Sequence, residues 1–279
     1  MSRIEQALEK AASSRGVKTH NSPSTEVVVA AGKQPPLQSS PPKPDFDKLL
    51  ETPQININNP MLVAIGDNKS IASEEYNKLR SLIVELTHGK EFHNTLLISS
   101  SITEEGKSLT ALNLAIALAK GYDHTVLLVD TDLRRPSLHK LLGIKPEVGL
   151  IQCLRDNIPL SQALIKTGIG KLVFLPAGGT VSKPVELLSS NRMKEVVREL
   201  KNRYPERYVI FDTPPVLPFA DAQVLAPTVD GVLFIVREGR AKAHEIQKAL
   251  QTLQGTNLLG TVYNDAHNYI KKRSYYYYQ

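Results

Sequence analysis

The 279-residue chain predicts an α/β fold, a doubly wound and mostly parallel sheet, on three observations. Six short apolar runs recur along it, at Thr95–Ser99, Thr125–Val129, Lys171–Leu175, Tyr208–Phe211, Gly231–Val236 and Leu258–Tyr263. Stretches of helical periodicity lie between them, near Ser108–Lys120, Pro159–Lys166, Asn191–Tyr204, Ala220–Ala226 and Ala241–Leu253. The aromatic inventory is the third: no Trp, six Phe and an aromatic share of 6%, as suits strands packed on both faces by Val, Ile and Leu. Helical crossovers between strands make neighbouring strands parallel and cover both faces of the sheet. The domain so defined spans residues 61–268, and its ligands belong at the carboxyl ends of the strands.

In chain order, Ser2 to Ala12 carries Ile4, Leu8 and Ala11 at helical spacing with Ala7 beside them, and Ser2 can cap the start. This short amphipathic helix is either a docking element or a terminal helix without a partner. Residues 13–60 hold eight of the 18 prolines among many Ser, Asn and Gln. Such a stretch buries too little apolar surface to offset its chain entropy and reads as a disordered linker. Ser70 to Leu86 then places Tyr76, Leu79, Leu82, Ile83 and Leu86 on one helical stripe.

The net charge of +6 is compatible with anionic partners but selects none, and interleaved aromatic and basic motifs for nucleic acid are lacking. One cysteine, Cys153, excludes a disulfide framework and fits a reducing, cytoplasmic setting. No apolar run approaches the ~18–20 residues that span a bilayer. The remaining oddity is the tail of residues 269–279, where Lys271, Lys272 and Arg273 precede four consecutive tyrosines, Tyr275 to Tyr278.

Three strand exits carry the chemistry. The first run leads into Ser99-Ser-Ser-Ile-Thr-Glu-Glu-Gly-Lys-Ser-Leu-Thr110, with Gly106-Lys107-Ser108 at phosphate-loop spacing and Ser101 where a first glycine usually stands. Backbone N–H groups around Glu104, Glu105, Gly106, Lys107, Ser108 and Leu109 would cradle phosphate oxygens at a helix start. Lys107 would reach the β- and γ-phosphates and the Ser108 hydroxyl would bind Mg2+. The second run ends in Val129-Asp-Thr-Asp-Leu-Arg-Arg-Pro136 and the fourth in Phe211-Asp-Thr-Pro-Pro215. Asp130, Asp132 and Asp212 thus stand at strand exits, as the oxygen-rich shell of Mg2+ requires.

These three strings resemble the Walker A, Walker A′ and Walker B motifs of the bacterial tyrosine kinases. Those are the autokinases of capsule and exopolysaccharide synthesis, related to the P-loop ATPases of the partitioning type. Pro184-Val-Glu-Leu-Leu-Ser-Ser190, Asp221-Ala222 and Leu259-Gly260 with Asn264 are further points of resemblance, which covers nearly all of 61–279. Positioning ATPases carry a second lysine five residues before the main one. Here that place is Ile102, which favours the kinase branch.

The resemblance implies an ATP- and Mg2+-dependent protein-tyrosine autokinase whose phosphoacceptors are Tyr275, Tyr276, Tyr277 and Tyr278. A phenol with a pKa near ~10 needs a carboxylate base and a neutralised phosphate to react. Asp130 is the candidate base, with Asp132 and Ser108 as the metal pair and Asp212 ordering the metal's waters; the roles of Asp130 and Asp132 can be exchanged. Arg134 or Arg135 would hold phosphate oxygens or make a structural ion pair, and Asn264 would touch the adenine or form a turn. Tyr275 lies 11 residues beyond Asn264, at most ~36–40 Å of extended chain, which permits reaction in cis or in trans. The family's ring-forming helix, Glu-x-x-Arg-x-x-Arg, corresponds to Glu74 through Arg80, with Asn77 in place of the middle arginine. The implied partners are a second copy of the chain in a homo-oligomer and a membrane activator of the polysaccharide co-polymerase type, which would recruit the protein to the inner face of the cell membrane.

Overall fold

The computed structural model describes residues 57, 59–66, 70–89, 92–121, 123–204 and 206–267. The segment 1–12, nearly all of the 13–60 linker and the tyrosine tail lie outside the described residues. Strands β1 (Thr95–Ser100), β2 (Thr125–Asp130), β3 (Ile165–Lys166), β4 (Leu172–Leu175), β5 (Arg207–Asp212), β6 (Gly231–Arg237) and β7 (Leu258–Asn264) form one sheet. Its order is β3-β4-β2-β5-β1-β6-β7, parallel throughout except for the pair β3 and β4. The longer helices are α1 (Ile71–Thr87), α2 (Lys107–Ala119), α3 (Asn191–Arg203) and α4 (Ala243–Thr252).

Alternation along the strands decides which helix meets which face. Leu96 and Ile98 of β1, Val126 and Leu128 of β2, and Tyr208 and Ile210 of β5 pack with α1 and α2. Leu97, Leu127, Val209 and Phe211 point the other way, into a second core with Met193, Val196, Val197 and Leu200 of α3 and Ala249 of α4. Every residue of β1 and β5 is buried, because a central parallel strand is covered on both sides. Leu97 is fully buried, so Leu97→Ala leaves a cavity in the second core. It is expected to cost about 3 kcal/mol, read as a lower urea midpoint at unchanged denaturant slope.

The capping signals behave as their chemistry demands. The Ser70 hydroxyl accepts from Ser73 N at 3.1 Å to start α1, and the Ser190 hydroxyl accepts from Met193 N at 3.1 Å to start α3. Asn113 in α2 accepts from Ala64 N and donates to Met61 O, both at 3.1 Å, which fastens the segment before α1 to the domain.

Two expectations are corrected. Pro159–Lys166 is not one helix: only Leu160–Ala163 is helical. Leu164 turns extended, and Ile165 and Lys166 pair antiparallel with Phe174 and Val173 at the sheet edge. A β-branched residue beside an open strand edge gains more from the ladder than from another helical turn. The stripe on α1 is also only half used, since Ile83 is buried while Leu82 and Leu86 are each 54% exposed. The helix meets the domain along one narrow line, and its width of apolar residues exceeds that line. Cys153 lies buried in the short helix Leu150–Arg155, and Leu138–Leu141 and Pro184–Leu188 add two further short helices.

Candidate active site

The register of the sheet builds the site. Asp130 and Asp212 are the last residues of β2 and β5, and they are direct partners across that parallel pair. They follow Leu128 and Ile210 by two positions, so both carboxyls rise on the α2 face. Thr131 then crosses back, its N–H and hydroxyl both donating to Asp212 O, at 2.9 and 2.6 Å. That crossing brings Asp132 to the same pocket.

From the opposite side comes the start of α2. Gly106 caps the helix at φ +83°, a left-handed conformation that glycine adopts without strain. The Asn264 amide also fills the space a Cβ would need there. Lys107 Nζ lies 3.1 Å from Asp132 Oδ2, 3.8 Å from Asp212 Oδ1 and 3.0 Å from Ser108 Oγ. Burial works to neutralise this lysine, but Asp212 and Asp132 outweigh it and hold its pKa above the ordinary value.

The carboxyls show the opposite balance. Burial, reinforced by Asp212 and Asp132, holds Asp130 well above the usual carboxylate range despite the opposing Lys107 charge. Asp130 accepts from Asp132 N at 3.2 Å and Leu138 N at 3.3 Å. Burial also raises Asp212, to about 6, with Lys107 opposing. Both oxygens of Asp212 are buried without a well-formed hydrogen bond, although the Ser108 hydroxyl faces this carboxyl and Lys107 Nζ lies 3.8 Å away. A desolvated carboxylate of this kind is costly unless a cation or ordered water meets it, so the residues fit a divalent ion. The described residues contain no group of three or more His, Cys, Asp or Glu arranged around a metal. Mg2+ bound by one or two carboxylates, water and substrate phosphates needs none.

Other candidate residues fall in different places. Glu105 is wholly buried, and its carboxylate accepts from Ile102 N at 2.9 Å and Arg237 N at 3.4 Å, so the side chain braces the loop from behind. Glu104, at φ +66°, pairs with Arg240, and only its main chain and that of Glu105 remain for phosphate. Leu109 is half-buried against the α1–α2 core. Arg134 is taken by structure: its Nε reaches both oxygens of buried Asp221 at 3.2 and 3.1 Å, and its guanidinium sits 4.3 Å over the Phe219 ring. Arg135 donates its N–H to Asp132 Oδ1 at 3.0 Å while its side chain is exposed. Asn264 donates to Glu105 O at 3.0 Å, a loop brace. Glu74, Asn77 and Arg80 line a shallow concavity on α1, with Asn77 Nδ2 3.5 Å from Glu74 Oε2, away from the carboxylate cluster. Sequence reasoning missed Arg237 and Asp265, because neither stands in a motif and they meet only where β6 and β7 end.

The chain matches the CobQ/CobB/MinD/ParA nucleotide binding domain over residues 96–272. It is 35% identical over 205 residues to tyrosine-protein kinase YwqD of Bacillus subtilis, covering 73% of this chain and 85% of that one. The chain belongs to the bacterial tyrosine kinases. The kinase also superposes on the kinase domain of the Escherichia coli tyrosine kinase ETK with a TM-score of 0.67 and 29% identity, over 74% of this chain and 81% of that one. It is 29% identical over 207 residues to the succinoglycan biosynthesis transport protein ExoP of Rhizobium meliloti, covering 72% of the kinase but 26% of ExoP. Among the described residues of the kinase, no helix is long and apolar enough to cross a membrane.

Proposed function

We propose that the protein is an ATP- and Mg2+-dependent tyrosine autokinase that phosphorylates Tyr275–Tyr278 and thereby regulates exopolysaccharide or capsule synthesis and export. The single observation that carries this reading is Lys107 at the start of buried α2, 3.1 Å from Asp132 and 3.8 Å from Asp212. A phosphoryl-transfer site needs a cation on the phosphates and carboxylates for metal and proton, and this cluster supplies both. Mg2+, held by Ser108, Asp132 and Asp212, would neutralise charge developing on the phosphate oxygens.

In the transfer, the tyrosine oxygen bonds to the γ-phosphorus while the bond from that phosphorus to the bridging oxygen breaks, and the electron pair leaves with ADP. The phenolic proton passes to a carboxylate. Asp130 suits this task, since burial and two neighbouring carboxylates raise its proton affinity above that of an ordinary carboxylate. Asp132 would help hold the metal, and its own position is set by Lys107 and Arg135 N. The main chain of residues 104–109 and the first N–H groups of α2 cradle the phosphates.

The relative ExoP is named for succinoglycan transport, which supports a polysaccharide setting and a membrane activator of the co-polymerase type as partner, recruiting the kinase from the cytoplasm. Residues 1–12 would dock to it through the 13–60 linker, with 61–268 as the kinase domain and 269–279 as its tail. Exposed Leu82 and Leu86, on the same helix as Glu74 and Arg80, support self-association through α1.

The test is incubation with Mg-ATP followed by intact mass and peptide mapping. Phosphate additions mapping to 275–278 are expected, and a variant with all four tyrosines changed to Phe is expected to lose them. ATP hydrolysis without phosphoprotein would overturn the autokinase reading.

A further inference from the structure

At the end of β6, Arg237 ties together two segments that its place in the sequence does not connect. Its Nη1 donates to Glu104 O at 3.3 Å and its main-chain N–H reaches Glu105, so it grips the middle of the phosphate loop. Its Nε and Nη2 both donate to Asp265 Oδ2, at 3.0 and 2.7 Å. Asp265 is the first residue after β7, at φ +56°, a left-handed conformation that Asp and Asn adopt more readily than other non-glycine residues. A second clasp lies beside it: Glu238 N donates to Asn264 O at 3.0 Å, and His267 N donates to Glu238 Oε2 at 2.6 Å. Asn264 itself sits on Gly106 and donates to Glu105 O. The phosphate loop and the start of the C-terminal segment are therefore one connected piece of structure.

We infer that Arg237 and Asp265 form a latch that seats the root of the C-terminal segment on the phosphate loop, so that the chain's own tyrosines are presented to a catalytic site in preference to those of other proteins. Arg237 is a positioning residue, acting through Asp265 and the loop backbone and not on the reacting atoms. The inference rests on the autokinase reading for its consequence, but the latch itself is a property of the protein without nucleotide. Both partners are nearly half exposed, at 43% and 42%, so the pair is a modest clasp that can open. Tyr275 lies ten residues beyond Asp265, so the latch fixes one end of the tether that carries the tyrosines and thereby limits their reach.

The test uses the full chain and Asp265→Asn, which keeps a residue tolerant of left-handed φ and removes the charge. Arg237→Gln serves as a second variant. Without nucleotide, amide hydrogen exchange in both variants is expected to quicken together at residues 103–107 and 264–267. With Mg-ATP, Asp265→Asn is expected to lower self-phosphorylation about fivefold more than it lowers phosphorylation of an added Glu-Tyr copolymer, the upper end for one exposed ion pair. Exchange unchanged at 103–107 would overturn the latch, and an equal fall on tail and copolymer would overturn its role in presentation. If the wild type forms no phosphotyrosine, the autokinase reading fails while the exchange comparison still decides the latch.

Discussion

Lys107→Met lowers phosphotyrosine formation about 10³-fold, read by intact mass after incubation with Mg-ATP. Most of the side chain's length is kept and the charge is lost, so what disappears is chiefly the cation between the substrate phosphates and the carboxylates. The same change perturbs the protein without nucleotide. Asp130, Asp132 and Asp212 then face one another without the ammonium that lies 3.1 Å from Asp132 and 3.8 Å from Asp212. Like charges brought together in a buried site resist joint ionisation, so the variant's melting temperature is expected to fall at pH 7 and to recover on acidification toward pH 5. Retained phosphorylation on Tyr275–Tyr278 would show that another cation holds the phosphates.

Asp212→Asn separates catalysis from stability. Loss of the carboxylate should cost about 10²-fold or more in phosphoryl transfer, because metal binding and charge neutralisation both depend on it. The nucleotide-free protein should behave differently. Burial raises Asp212 to about 6, above the unfolded carboxylate value of about 4. The folded chain therefore binds this proton more tightly than the unfolded one. Its contribution to stability is fully present below the unfolded value and is lost as pH rises from about 4 to about 6. Wild-type melting temperature should fall across that window, and Asp212→Asn should flatten the fall. In the wild type alone, Mg-ADP should restore stability at neutral pH, with a gain of about 2.7 kcal/mol at a hundredfold excess over its dissociation constant. An unchanged pH profile in the variant would mean that Asp212 is not the titrating group.

Much of this was readable from the chain. Apolar runs ending in aspartate are buried parallel strands because only such strands are covered on both faces, and their carboxyl ends are where loops can carry polar groups. Gly106-Lys107-Ser108 is legible because a left-handed glycine, a helix start and a lysine act within three residues of one another. Local patterns serve less well at the periphery. Leu82 and Leu86 follow the same period as Ile83, yet the contact line under α1 reaches only the last of these. Ile165 and Lys166 continue a helical pattern but find an open strand edge at Phe174 and Val173.

The charged residues divide most sharply. Glu104 and Glu105 look alike in sequence, but one pairs with Arg240 at the surface and the other is buried as a brace for Ile102 and Arg237. Arg134 and Arg135 are equally ambiguous until Asp221, 87 residues away, claims the first of them.

By itself, then, the sequence determined the α/β class, the phosphate loop and the three carboxylates, since each depends on interactions among near neighbours or on strand periodicity. Tertiary structure alone decided that Asp130 stands beside Asp212 and that Arg237 clasps Asp265. The first is a matter of strand register and the second of where the edge strand β7 and its neighbour β6 end. Both are set by packing across the sheet, where residues far apart in the chain meet within hydrogen-bond distance.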